Sequence, residues 1–204
     1  MQTRYPETLW YGDGTRQTLA LTFDDGPHPL HTQPVLDTLK RHRIRASFFL
    51  LGRYVEQHPQ LVECIHADGH DIGLHGYRHR AFPLERPATL QAQLTHTRQR
   101  IAEICSIAPE TIRYIRPPYG AFNRSVLTHL MAWGYQPVMW NNLPPHWMQP
   151  LQWSIQQTLN QATPGGIIVL HDGHGHGTTV AQLLEHILPA LQARDFEFVP
   201  LDRL

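Results

Sequence analysis

Short apolar runs alternate along the chain with longer stretches of helical period, and this alternation constrains the fold more than any other feature. Strands are expected near 18–23 (TLALTF), 45–51 (RASFFLL), 71–75 (DIGLH), 112–116 (IRYIR), 136–141 (QPVMWN), 166–171 (GIIVLH) and 196–200 (FEFVP). Helices are expected between them, near 32–42, 54–68, 87–106, 123–133, 151–162 and 178–194. Breakers such as Asp68-Gly69, Gly134 and Pro164-Gly165-Gly166 close several of these segments. Strand and helix in turn is the order of repeated βα units around a parallel sheet. Runs this uniformly apolar are buried on both faces, which favours a helix-covered sheet or barrel over a sandwich. The period alone leaves the choice between open sheet and closed barrel undecided. A length of 204 residues with 41% hydrophobic content suits a single α/β domain over 1–204.

In both architectures chemistry collects at the carboxyl ends of the strands. Asp24 and Asp25 follow the first run, His75 ends the third, Arg116 the fourth, Trp140-Asn141 the fifth and His171 the sixth, so all fall on one rim.

Four stretches on that rim carry chemistry. TFDDGP at 22–27 sends two adjacent carboxylates out of a hydrophobic strand just before a Gly-Pro turn. Adjacent residues point in different directions, so one can bind a cation while its neighbour reaches water. Asp-Gly-Pro is equally common turn chemistry. HGYRH at 75–79 has the His-x-x-x-His spacing that brings two imidazoles within reach of one ion on a helical turn or tight loop. With a carboxylate it makes a two-His, one-Asp set. Three protein ligands leave a position open, as in catalytic rather than structural zinc sites. The set holds no thiolate, so one divalent metal is expected, Zn²⁺ first, with Co²⁺, Ni²⁺ or Mn²⁺ as alternatives. RPPYG at 116–120 stiffens a backbone that can aim an N–H at negative charge, and Arg116 offers a fork to a carboxylate. His171, in IIVLHDG at 167–173, stands where a general acid or base would. Singly each has a plain structural explanation; their order on one rim makes the case.

Composition narrows the partners. Lys+Arg and Asp+Glu are balanced at 17 each, leaving no positive excess to gather on a nucleic acid or an anionic membrane. A neutral glycan or a small neutral molecule fits better. No apolar run approaches the roughly 18 residues that span a bilayer. The start MQTRYPETLW lacks the build of a secretory signal, which suggests a cytoplasmic chain or one whose leader has been removed. Cys64 and Cys105 fall in helical stretches, where a thiol usually packs as a small hydrophobe, and no disulfide framework is expected. Of the 15 histidines, several fall in short clusters: His28 with His31, His75 with His79, and His171 with His174 and His176. For HDGHGHG at 171–177 a second ion site or a contact to a substrate group competes with the plainer reading, a glycine-rich surface loop.

With these residues in view the sequence resembles the polysaccharide deacetylases of carbohydrate esterase family 4, which share the NodB homology domain. The resemblance runs from about Thr18 to the C-terminus and rests on TFDDG, H-x-x-x-H, R-x-P-Y-G and the apolar-Leu-His strand in this order. It implies a distorted (β/α)7-type barrel of mostly parallel strands and hydrolysis of N-acetyl groups on glycans of chitin or peptidoglycan type. On the family pattern Asp25, His75 and His79 hold the metal, Asp24 is the base that deprotonates water, and His171 protonates the departing amine. The resemblance also gives the Tyr119 backbone N–H to the oxyanion, sets Arg116 to orient Asp24, and makes Leu170 and Trp147 the walls around the acetyl methyl.

This chain departs from the pattern in two places. WNNLPPHW at 140–147 puts Leu143 and His146 where the family has aspartates, the first of which supports the catalytic histidine; Trp147 is kept. Without a carboxylate partner His171 is expected to titrate near the ordinary value of about 6.5, unless Asp172 or another carboxylate substitutes. Gly76 stands where Ser or Thr is frequent. The departure leaves two further functions in play: an amidohydrolase acting on a small non-carbohydrate amide, or a metal- or sugar-binding module without turnover.

Overall fold

A computed structural model describes residues 4–173 and 177–204, so His174 and His176 lie outside the described residues. The elements run β1 (Thr18–Asp24), α1 (Thr32–His42), β2 (Ser47–Leu50), α2 (Gly52–Gln57), α3 (Pro59–Ala67), β3 (Asp71–Leu74), α4 (Pro87–Cys105), β4 (Tyr114–Ile115), α5 (Arg124–Ala132), β5 (Gln136–Pro137), α6 (Leu151–Gln161), β6 (Gly166–His171), α7 (Gly177–Gln192) and β7 (Glu197–Phe198). All pairings are parallel, in the order β5-β4-β3-β2-β1-β6. β7 pairs with Thr18 and Leu19, the stretch of β1 that precedes its pairing with β2 at Thr22.

The edge strands are drawn together by the chain after β5. Asn142 bridges Ile168 of β6, and its carbonyl accepts from the Val169 N–H at 2.9 Å. The buried Asn142 amide also donates to the Thr158 carbonyl of α6 at 2.9 Å. The sheet therefore curls into a barrel-like form with helices outside, as expected for a distorted (β/α) barrel.

Side-chain alternation along the strands sorts the core into two layers. Leu19, Leu21 and Phe23 of β1, Phe48 and Leu50 of β2, and Ile168 and Leu170 of β6 face the helices and join the large cluster with Leu36, Leu39, Leu183 and Leu188. Ala20, Phe49, Tyr114, Val138 and Ile167 form a smaller cluster inside the curl. The same alternation carries Asp24, Arg116 and His171 to the inner side.

Several expected boundaries are corrected. The helix expected over 54–68 is two helices, because Pro59 lacks an N–H and starts a new one after His58. The strand expected at 136–141 pairs as a strand only over Gln136–Pro137; beyond it the Val138 N–H still reaches the Ile115 carbonyl of β4, and the backbone then bonds to Leu9 and to β6. β4 is likewise shorter than the 112–116 run. Cys105 packs in the core and burial pushes its thiol up to about 11, whereas Cys64 is exposed; both are free thiols.

Candidate metal and catalytic site

The site begins with a backbone exception. On a regular strand Asp24 and Asp25 would point to opposite faces. Asp25 instead takes the left-handed conformation, φ 74°, and both buried carboxylates line one cavity. The turn tolerates little bulk: a Cβ on Gly26 would meet Asp172 Oδ1 at 2.6 Å, and one on Gly173 would meet the Asp25 carbonyl oxygen at 2.0 Å. Glycine at both positions lets β1 and β6 end side by side, with Asp24 opposite His171.

His75 follows β3, and its backbone N–H donates to the Leu50 carbonyl at 2.8 Å. Its Nδ1 lies 2.7 Å from the Arg116 carbonyl, which can only accept, so the ring proton sits on Nδ1 and Nε2 turns to the cavity. His79 reaches the same point from a tight loop with left-handed backbone at Gly76 and His79. Its ring packs edge-on against Tyr119 at 4.4 Å. Asp25 Oδ1 stands 3.4 Å from His75 Nε2 and 3.2 Å from His79 Nε2.

These are the separations of atoms that share an ion. Two ligands about 2.1 Å from a tetrahedral Zn²⁺ lie roughly 3.4 Å apart. The three donor atoms fall within 4.8 Å of one another, and among the described residues they are the only group of three or more His, Cys, Asp or Glu side chains so placed. Asp25, His75 and His79 thus fit a divalent cation, as the sequence led us to expect.

Arg116 is fully buried and is the largest such side chain among the described residues. It donates to Asp24 Oδ1 at 2.6 Å, to Thr22 Oγ1 at 2.9 Å and to the carbonyls of Val138 and Met139 at 3.2 and 3.1 Å. The guanidinium also lies over the Phe49 ring at 4.1 Å. Burial pulls its pKa down and the Asp24 carboxylate opposes that pull, so each charge is the other's compensation in a site with almost no solvent. Arg116 thus meets Asp24, the carboxylate that the family resemblance pairs it with. Thr22, whose hydroxyl donates a hydrogen bond to the Ile168 carbonyl at 2.8 Å, is a participant the sequence reading missed. Its position two residues before Asp24, on the same strand face, was the available signal.

The opposite wall holds His171, Trp147, His146 and Leu143, and the cavity of about 320 Å³ also touches Tyr119, Trp140 and Val169. Tyr119 has φ 61° and an exposed ring. Trp147 packs edge-on against His171 with centroids 4.7 Å apart. Burial lowers the His171 pKa; Asp24 and Asp25 act to raise it, and His75 and Arg116 act to lower it further.

Two expectations change here. Leu170 does not wall the cavity: alternation sends it into the core facing the helices, and Val169, one residue earlier, takes the place at the cavity. Asp172 does not support His171 either. By the same alternation its side chain points away, accepts from Thr32 Oγ1, and is pushed by burial up to about 7. The partner of His171 is His146, whose Nε2 lies 3.2 Å from His171 Nδ1. A larger hollow of about 890 Å³ lies at the amino ends of β4 and β5, far from these side chains.

The α/β barrel thus sets a candidate metal site of one carboxylate and two imidazoles at its strand ends, beside a second carboxylate tied to a buried arginine, an arrangement suited to metal-assisted hydrolysis. The sequence profile described as Polysaccharide deacetylase matches residues 11–138. The chitooligosaccharide deacetylase of Bradyrhizobium sp. (strain ANU 289) is 34% identical over 209 residues, covering 95% of this chain and 94% of that protein. The peptidoglycan-N-acetylglucosamine deacetylase PgdA of Listeria monocytogenes serotype 1/2a (strain 10403S) is 35% identical over 191 residues, 93% of this chain and 39% of that protein. Among solved structures, the Bc1960 peptidoglycan N-acetylglucosamine deacetylase superimposes with a TM-score of 0.92 at 29% identity, covering 99% of this chain and 94% of that one. The chain belongs to the polysaccharide deacetylase family.

Proposed function

We propose that this protein hydrolyses the N-acetyl groups of N-acetylglucosamine-containing glycans, of chitin-oligosaccharide or peptidoglycan type, with one divalent cation at Asp25, His75 and His79. The observation that carries the reading is the convergence of those three donors, the Arg116-held Asp24 and His171 on one cavity. Zn²⁺ suits the donor set of one carboxylate oxygen and two imidazole nitrogens. Bound there, the cation supplies Lewis-acid chemistry, polarising an amide carbonyl and making water acidic enough to ionise near neutral pH.

The chain's own residues do the rest. Asp24, held through Oδ1 by Arg116, keeps Oδ2 toward the cavity, 3.9 Å from His75 Nε2, and takes the proton from the attacking water. The Tyr119 backbone N–H supports the negative charge that develops on the carbonyl oxygen. His171 returns a proton to the departing amine from the other wall. Val169, Leu143 and Trp147 exclude water around the acetyl methyl.

The test is acetate release from N-acetylglucosamine oligomers, with chelator and with Zn²⁺ restored. Release that chelation stops and Zn²⁺ recovers is expected. Oligomers left intact by metal-loaded protein, with turnover of simple amides instead, would overturn the glycan assignment.

A further inference from the structure

On the family pattern the aspartate that supports the acid falls at Leu143, but the side chain that meets His171 here is that of His146, three residues on, and its surroundings are specific. Pro144 and Pro145 preset the backbone before it, and the His146 N–H donates to the Pro144 carbonyl at 2.8 Å. The ring is 2% exposed and packs edge-on against Trp147, with centroids 5.2 Å apart. Its Nε2 meets two atoms of one residue: the His171 backbone nitrogen at 3.1 Å and His171 Nδ1 at 3.2 Å. A backbone N–H can only donate, so His146 Nε2 presents its lone pair to both. The proton between the two rings then belongs to His171 Nδ1. That leaves His171 Nε2 as the nitrogen facing the cavity.

We propose that His146 is a positioning residue that fixes the ring orientation and tautomer of His171, doing with a neutral imidazole what a carboxylate does by charge. The inference rests on the deacetylase reading for the role of His171 but stands on its own geometry. Orientation and charge, which an aspartate supplies together, are separated in this protein. Trp147 completes the arrangement by stacking its edge on the His171 ring, so rotation about the His171 side chain would cost both a hydrogen bond and a packed face.

Three substitutions test the assignment on the metal-loaded protein. His146→Leu keeps bulk and removes the acceptor; kcat should fall by about 10–100-fold, the range found when a metal-ligating histidine loses its orienting hydrogen bond and applied here to the acid, with KM and metal affinity unchanged. His146→Gln can place an amide oxygen near the same point and should restore most of the rate. Nitrogen-15 NMR of the His171 ring should show Nδ1 protonated and Nε2 bare at alkaline pH in the wild type and in His146→Gln, and a tautomer mixture in His146→Leu. An unchanged kcat and an unchanged tautomer in His146→Leu would overturn the proposal. A wild type that releases no acetate would sink the deacetylase reading while the NMR comparison still decides this one. Should His146→Leu fail to fold, a wild-type spectrum with the proton on Nε2 would overturn it equally.

Discussion

The two walls of the cavity are held together by different physics. On the side built from β1, β3 and β4, buried charges answer one another: Arg116 with Asp24, and Asp25 between the two imidazoles. On the side built from β6 and the chain after β5, the supports are a neutral His146, an edge-packed Trp147 and an apolar Leu143. Among the described residues no carboxylate forms an ion pair with His171. The contrast teaches that the wall proposed to hold a cation and a base depends on electrostatic compensation, while the wall proposed to carry the acid depends on hydrogen-bond direction and packing. Substitutions should therefore fail differently on the two sides.

The largest effect is expected on the charged wall. Asp25→Ala should abolish metal binding, read by calorimetric titration with Zn²⁺, and reduce acetate release by more than about 10³-fold, because water without the cation is far too weak an acid to ionise near neutral pH. Retention of stoichiometric Zn²⁺ binding would break the ligand assignment. Next, Arg116→Met should cost about 3–5 kcal/mol of stability, since it strands a buried carboxylate, and should show as a fall in the denaturant midpoint. A loss near zero would mean that the Asp24 pair is not compensating a buried charge.

On the neutral wall the expected effect is a shift rather than a collapse. Burial holds the His171 pKa below its ordinary 6.5, so the acid form is lost as pH rises and the alkaline fall in rate should begin below that value. His146→Asp would supply the missing charge and should move that fall upward by about one pH unit or more. An alkaline limb that stays in place in His146→Asp would show that a charge beside Nδ1 does not control the acid.

The smallest effect serves as a control remote from both walls. His70, before β3, accepts the Ala46 N–H on Nδ1 at 3.2 Å, and burial holds its pKa down to about 4. The folded state keeps it neutral while the unfolded chain protonates near 6.5. Stability from this group is thus complete above about pH 6.5 and is lost as pH falls toward about 4, by on the order of 2–3 kcal/mol. His70→Asn, which offers an acceptor without titrating, should flatten that acid slope in urea melts. Any acid loss of activity that remains in His70→Asn belongs to the cavity walls.

The contrast between the walls also marks how far the sequence could be read. The charged wall was legible because its residues lie in compact motifs, TFDDGP, HGYRH and RPPYG, whose spacing suggests one ion and a fork for a carboxylate, and whose order carries the family resemblance that implies an oriented base. Even there Thr22 was overlooked, though strand alternation places it with Asp24. Alternation would likewise have exchanged Leu170 for Val169. The neutral wall was legible only as a gap in a pattern: His146 could be seen to replace an aspartate, but nothing in WNNLPPHW says which ring nitrogen meets His171.

The sequence alone determined the parallel βα order, the rim on which polar residues gather and the donor set for a cation, because strand period and local motif are short-range properties of the chain. Only the tertiary structure decided the left-handed turn that brings Asp25 beside Asp24, the curl closed by Asn142 against β6, and the His146–His171 pair. Those features join residues from separate segments, and their geometry is set by close packing at Gly26 and Gly173 and by hydrogen bonds that exist only once the strands are side by side.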